Sequence, residues 1–271
     1  MYTISSDSLE VSILDPIKDS HRFGLRFCTG GYIFQSRELT TKKDLLSGPT
    51  YPDDFVPIHG QGIPDTFNHI PLYASDGCHI LGIGKCDIDA DRIIELCVWN
   101  IEKQSDSSII FKTEQCFDSY RISIERRVSL YGFVLETYTC IENKGHKYVP
   151  ISWYPHPFFP PRGDGLLFKL PEETKFDLAT GFFSLENGVV RRIPGIDQDK
   201  SFQIAKTNTS SLNALIYTSN GYECKMSTDY YSHFTPIWAN DCTCSVEPYL
   251  DTTVFPGRSV FWSVRYEFCF R

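Results

Sequence analysis

A chain of 271 residues with a net charge of -8 at pH 7 offers no basic face to a nucleic acid, and it is long enough to bury a large core without a metal or disulfide staple. Its Lys and Arg are scattered, and the doublets Lys42-Lys43, Arg126-Arg127 and Arg191-Arg192 read as solvated surface. Aromatic residues make up 14%, a content that suits β-cores and carbohydrate sites alike.

The ten cysteines do not read as a disulfide framework. Cys28, Cys97, Cys116, Cys140 and Cys269 lie in or beside strand-like runs, where Cys serves as a small buried apolar residue. No charged-then-apolar leader precedes residue 30, and no stretch approaches the ~20 apolar residues of a membrane helix. A cytoplasmic protein with free thiols is expected, which leaves the Asn208-Thr209-Ser210 sequon silent.

In chain order, the first distinctive segment is Gly24-Leu25-Arg26-Phe27-Cys28-Thr29-Gly30-Gly31-Tyr32-Ile33. Its glycines predict a bulge or close backbone packing beside a strand. Arg26 either anchors substrate hydroxyls or pairs with a carboxylate. The glycine pair lacks Walker spacing and no helix follows, so this is no phosphate loop. Residues 43–76, rich in Pro, Gly and Asp, predict long loops, the usual place for function on a rigid β scaffold. Within them His59-Gly60-Gln61-Gly62-Ile63-Pro64-Asp65-Thr66-Phe67 looks like a pocket rim carrying an imidazole. His59, His69 and His79 are spaced ten residues apart, which matches no helix or finger pattern; no metal is expected.

Residues 91–103 have helix-like charge spacing, but Ile93, Ile94, Val98, Trp99 and Ile101 favour a strand. Beyond them period-two alternation dominates. Ile122, Ile124 and Val128 share one face; Phe133, Leu135, Thr137, Thr139 and Ile141 share another. Val260, Trp262, Val264, Tyr266, Phe268 and Phe270 alternate with Ser263, Arg265 and Glu267, the pattern of a half-buried strand. Asn187-Gly188 and Asn220-Gly221 predict type I′ hairpins, Asn143-Lys144-Gly145 a tight turn, and Pro256-Gly257 a type II turn. With no linker, repeat or convincing helix, the expected fold is a single all-β domain over residues 1–271, a large antiparallel β-sandwich.

Two segments carry candidate chemistry. In Trp153-Tyr154-Pro155-His156-Pro157-Phe158-Phe159 the imidazole sits between two rings of fixed φ and among four aromatics. Desolvation lowers a histidine's pKa and a nearby carboxylate raises it, so His156 is either a general acid–base group or a structural histidine in an aromatic core. In Cys244-Ser245-Val246-Glu247-Pro248-Tyr249 a carboxylate interrupts an apolar strand. Burying it unpaired is expensive; Glu247 is a salt-bridge partner, an outward residue or a poised base. Neither Cys242 nor Cys244 stands in an obvious Cys/His pair, so no cysteine nucleophile is expected.

In order and spacing these segments resemble the aldose 1-epimerase family of the galactose mutarotase-like superfamily. Leu9-Glu10-Val11-Ser12-Ile13 resembles its opening strand, and Gly24 to Ile33 its G-x-R-F-x-x-G-G-x-I segment. Gly60 to Phe67 is similar to its Gly-rich loop, and Leu81-Gly82-Ile83-Gly84-Lys85 to its K-I-G-V-G element, with Leu for the first Lys. Trp153 to Phe159 matches its Y-x-H-x-F-F block, and Val246-Glu247-Pro248, followed by Pro256-Gly257 and a Trp-bearing strand, its C-terminal block.

The resemblance implies a β-supersandwich and a cofactor-free mutarotase acting on a monosaccharide, a hexose or related aldose. It assigns His156 as general acid and Glu247 as general base, on opposite sides of the hemiacetal. Family members carry a second histidine before a glycine pair; His59-Gly60 is its best match here, broken by Gln61. They also use an aspartate for sugar hydroxyls, for which Asp229 and Asp241 are the candidates. Arg26 stands as hydroxyl anchor, and Trp238 as a ring to stack on a sugar face. Two other readings remain beside this one: a sugar-binding protein on the same fold without turnover, and a mutarotase for a sugar phosphate, with Arg22 and Arg26 on the phosphate.

Overall fold

The strongest alternations in the chain become the middle of its largest sheet. Strands Tyr120–Tyr131, Val134–Asn143 and Ser259–Phe270 lie side by side in a ten-stranded sheet in which every pairing is antiparallel. Ile122, Ile124, Val128, Leu135, Ile141, Trp262, Val264, Tyr266 and Phe268 are all buried on its inner face. The structure is a computed structural model; it describes all residues except 48–59, 68–69, 178–179, 195–200, 208–210, 233 and 271, and the side chain of Ser201.

Smaller antiparallel sheets cover that inner face. One is three-stranded, with Val149–Pro155 between Leu250–Val254 and Asp65–Thr66. Another is four-stranded and ends on Thr235–Ala239 and Cys244–Val246. The layers meet ring to ring: Trp153 lies 5.0 Å from Trp262, and Phe159 lies 6.5 Å from Tyr266. The chain is therefore an all-β sandwich with a large antiparallel sheet on one side. Among the described residues no helix is long and apolar enough to cross a membrane.

Turn chemistry accounts for several connections. Asn187 and Gly188 have φ of 49° and 77° between the paired residues Glu186 and Val189, as a type I′ hairpin requires. Gly257 has φ of 69° and the Arg258 amide donates to the Phe255 carbonyl at 3.0 Å, a type II turn. At Asn220-Gly221 only the glycine has positive φ, so no type I′ turn forms there. The last paired residues, Tyr217 and Glu223, leave more than two residues between them, and the Asn220 side-chain Nδ2 donates to the Asp44 carbonyl. Residues 91–103 contain the strands Arg92–Leu96 and Asn100–Ser105. Among its described residues the 43–76 segment holds two short strands, Asp65–Thr66 and Leu72–Ala74; His59 and His69 lie outside the described residues, as does the sequon.

Two sequence expectations are corrected by strand parity. Arg126 is not solvated: it shares the face of Ile122, Ile124 and Val128, is 1% exposed, and pairs with the equally buried Asp65. Only Arg127 faces outward, its guanidinium carbon 4.9 Å from the Tyr138 ring centre. Cys116 likewise lies on the outer face of Ser108–Phe117 and is exposed, not a small core residue. All ten cysteines are free.

Candidate active site

The run from Tyr154 to Phe158 extends the ladder that Asp65–Thr66 makes with Val149–Pro155. Tyr154 is paired with Thr66, the His156 amide donates to the Pro64 carbonyl at 2.8 Å, and the Phe158 amide donates to the Gly62 carbonyl at 2.8 Å. Donors to this partner fall at every second residue. Pro155 and Pro157 occupy the positions between, so their missing N–H groups cost this ladder nothing. The same parity puts Tyr154, His156 and Phe158 on one side and sends Trp153 and Phe159 into the core. Gly60 and Gly62 carry φ of 68° and 72°; a Cβ on Gly62 would lie 2.3 Å from the Ile33 carbonyl oxygen, so only glycine lets the loop approach this closely.

Phe159 then bridges to Cys244, each amide donating to the other's carbonyl, and so joins this ladder to the four-stranded sheet. Cys244–Val246 delivers Glu247, whose amide donates to the Pro236 carbonyl at 2.9 Å. Both functional side chains therefore stand one residue beyond the end of a strand, on backbones fixed by hydrogen bonds.

The imidazole and the carboxylate meet. His156 Nε2 lies 3.1 Å from Glu247 Oε1, with the residues 3% and 5% exposed. They sit side by side and do not flank a ligand-sized gap, which changes the arrangement expected from the sequence. In any cyclic hemiacetal the hydroxyl and the ring oxygen are bonded to the same carbon. Adjacent acid and base atoms can then serve both from one side.

Ser245, fully buried, supports the pair from below. Its hydroxyl lies 3.4 Å from His156 Nδ1. Phe158 stacks on the imidazole at 4.4 Å and 13°, while Phe27 and Trp238 present edges at 5.9 Å and 6.2 Å. Removal from water drives both groups toward their uncharged forms. Burial pushes the Glu247 carboxyl up to about 7, partly opposed by the charge of Arg26 and the Ser245 hydrogen bond. Burial, reinforced by Arg26, holds the His156 pKa well below the usual histidine value.

Arg26 is half-buried in the glycine-rich 24–31 loop, its guanidinium carbon 5.2 Å from the Phe27 ring centre, and its charge reaches both members of the pair. Trp238 also belongs to the site by its edge contact with His156. The two aspartates are engaged elsewhere. Asp241 is exposed and bonds Arg192 at 2.8 Å; Asp229 accepts the Ser263 amide at 2.7 Å. Neither is brought to the imidazole–carboxylate pair by these contacts. His59 cannot be placed, lying outside the described residues.

Sequence reasoning gave no role to Ser245, to the tyrosines Tyr154 and Tyr249, or to the Arg126–Asp65 pair behind the site. Ser245 was legible only as a neighbour of Glu247; two positions apart on an extended strand, both point the same way. Among the described residues no group of three or more His, Cys, Asp or Glu is placed to hold a metal ion.

No family model and no curated protein sequence matches the chain. Solved structures do. A galactose mutarotase related enzyme from Lactobacillus acidophilus superposes with a TM-score of 0.67 at 13% identity, covering 98% of this chain and 96% of its own. A galactose mutarotase-like protein from Lactobacillus casei gives 0.63 at 14%, covering 99% of each. An aldose epimerase homologue from C. elegans gives 0.59 at 10%, covering 99% and 98%. The chain has the galactose mutarotase-like fold. At these identities the likeness extends to the fold alone.

Proposed function

We propose that this chain is an aldose 1-epimerase, a mutarotase that interconverts the α and β anomers of a hexose or related aldose by acid–base ring opening. The observation that carries the reading is the buried contact between His156 Nε2 and Glu247 Oε1, on a fold shared with galactose mutarotase-like proteins.

The pair works by holding one proton between two sites. In the charged arrangement, Glu247 takes the proton of the anomeric hydroxyl while the imidazolium of His156 gives its proton to the ring oxygen. The C1–O5 bond breaks, C1 becomes the aldehyde carbon, and the pair is left as carboxylic acid and neutral imidazole. Rotation about C1–C2 presents the other face. Closure returns the proton of the O5 hydroxyl to His156 and moves the Glu247 proton to the former carbonyl oxygen, regenerating the starting pair. No covalent intermediate and no cofactor enters. Burial favours the neutral arrangement, the one present while the ring is open.

A positioned acid and base contribute about 10²–10⁴-fold each. Arg26 and Trp238 complete the reading as hydroxyl anchor and stacking ring. The test is polarimetry on freshly dissolved α-glucose and α-galactose, repeated with glucose 6-phosphate. Equilibration accelerated in proportion to protein is the expected result. Binding without acceleration by the intact protein on every sugar tried would reject turnover in favour of a sugar-binding role, and acceleration confined to the phosphate would move the substrate to the phosphorylated class.

A further inference from the structure

Ring opening as proposed uses only one nitrogen of His156. Nε2 faces the Glu247 carboxyl at 3.1 Å, and the proton leaves and returns there. Nδ1, on the other side of the ring, faces the Ser245 hydroxyl at 3.4 Å. Ser245 is fully buried and His156 nearly so, so a hydrogen on Nδ1 depends on a protein partner.

Counting hydrogens shows when Nδ1 needs one. A neutral imidazole carries one N–H and an imidazolium two. The pair that holds one proton beyond carboxylate and neutral imidazole has two forms. With that proton on Glu247, the carboxyl O–H donates to a bare Nε2, and the ring hydrogen sits on Nδ1. With it on His156, both nitrogens carry hydrogen. Nδ1 is an N–H in either form, and a buried N–H left without an acceptor is costly. Which nitrogen of a histidine is free to exchange a proton is set by the bond that the other one makes.

Ser245 stands on a backbone fixed on both sides. It is paired with Trp238 across its own ladder, and its neighbour Cys244 exchanges two amide–carbonyl hydrogen bonds with Phe159. Phe158, stacked on the imidazole at 4.4 Å and 13°, fixes the plane of the ring. Acceptor and ring therefore keep their mutual position while the proton moves. A separation of 3.4 Å is long for an N–H···O bond; it should shorten when the imidazole is charged, as charge-assisted bonds do. The rival acceptor for a ring N–H is the carbonyl of His156 itself.

We propose that Ser245 is a positioning residue for the reaction: its hydroxyl accepts the Nδ1–H of His156 in both forms of the working pair and so reserves Nε2 for the proton that reaches the sugar. This deepens the mutarotase reading and rests on it for its catalytic consequence.

Two readouts on the intact protein test it. The first is NMR of the His156 ring nitrogens below pH 7, where the pair holds its proton. In the wild type Nδ1 should carry a hydrogen with the downfield proton resonance of a hydrogen bond. Ser245→Ala, which removes only the acceptor, should move that resonance upfield; a bond to the His156 carbonyl would leave it in place. The second readout is mutarotation, where Ser245→Ala should lower kcat by roughly ten-fold and change KM far less. Ser245→Cys keeps a side chain of similar shape with a weaker acceptor, and should fall between serine and alanine in both readouts. A bare Nδ1 in the wild type overturns the proposal without any substitution. So does an Nδ1–H resonance that Ser245→Ala leaves unmoved, even if kcat falls, since the loss would then be one of packing. An unchanged kcat in Ser245→Ala overturns it equally. Should the wild type show no mutarotation, the functional reading fails, while the NMR comparison still decides whether Ser245 holds Nδ1–H.

Discussion

The Arg126–Asp65 pair and the His156–Glu247 pair are both closed off from solvent, and one ladder connects them: Asp65 is paired with Pro155, the residue before His156. Their chemistry is opposite. Arginine does not surrender its proton inside a protein, so Arg126 keeps its charge and is answered by Asp65, whose carboxyl burial pushes up to about 6 against the pull of the guanidinium. Burial opposes its charge, yet the Asp65 carboxylate leaves its pKa raised, and its Nη1 also donates to the Gly30 carbonyl at 2.8 Å. That pair ties the 24–31 loop to the strand behind the site. Histidine and glutamic acid can each exist uncharged. Their surroundings press both toward neutrality, which makes the proton between them movable. One buried pair fixes geometry; the other is built to exchange a proton.

The comparison breaks most visibly at Glu247. Glu247→Gln should reduce the mutarotation rate by about 10²–10⁴-fold while leaving sugar affinity largely intact, since the amide keeps the shape and loses the base; polarimetry and a binding isotherm read the two effects. His156→Asn should act likewise. An active Glu247→Gln enzyme would sink the assignment.

At the other pair the loss should be one of stability. Arg126→Met leaves Asp65 buried without its cation and should destabilise the fold by about 3–5 kcal/mol in urea unfolding. A near-neutral result would mean that Asp65 is readily protonated or rehydrated there.

Acidity sharpens the contrast further. In the proposed mechanism the singly protonated pair is the working form, so kcat/KM should fall as pH rises through about 7, where Glu247 and His156 together lose that proton. The acid limb should lie well below the usual histidine range, because only there does the pair take up a second proton, on His156. Stability follows the same proton. A carboxyl whose pKa is higher in the folded chain than in the unfolded one binds more protons when folded, so Glu247 costs stability as pH rises from 4.5 to about 7. Glu247→Gln should remove that slope, as thermal melts across this range would reveal.

The smallest effects belong to the surface. Arg127→Ala, next to the critical Arg126, loses only a contact with Tyr138 and should cost about 0.5–1 kcal/mol. Asp241→Asn breaks an exposed bond to Arg192, should cost less than about 1 kcal/mol, and should leave mutarotation unchanged. A large loss of rate in Asp241→Asn would return that residue to the site.

Much of this was open to inspection in the chain. Alternation at 122–128, 135–141 and 262–268 is a local record of which side of a strand meets the core. The Tyr154–Phe159 block and Val246-Glu247-Pro248 gave the two chemical side chains by type and order. Arg126 was legible too, since its parity matches Ile122 and Ile124, but reading it as half of a surface doublet discarded that signal. Asp229 and Asp241 carried less signal: an aspartate is a common residue, and nothing local distinguishes one that binds a sugar from one that caps an amide.

What the sequence determined by itself was the identity and buried face of its most strongly alternating strands and several of its turns, because φ preferences and period-two alternation act over a few residues. Only the tertiary structure decided that His156 and Glu247 touch and that Asp65 answers Arg126. Those contacts join residues far apart in the chain, and the protonation behaviour that follows depends on desolvation and on the charges nearby in space, which no short stretch of sequence contains.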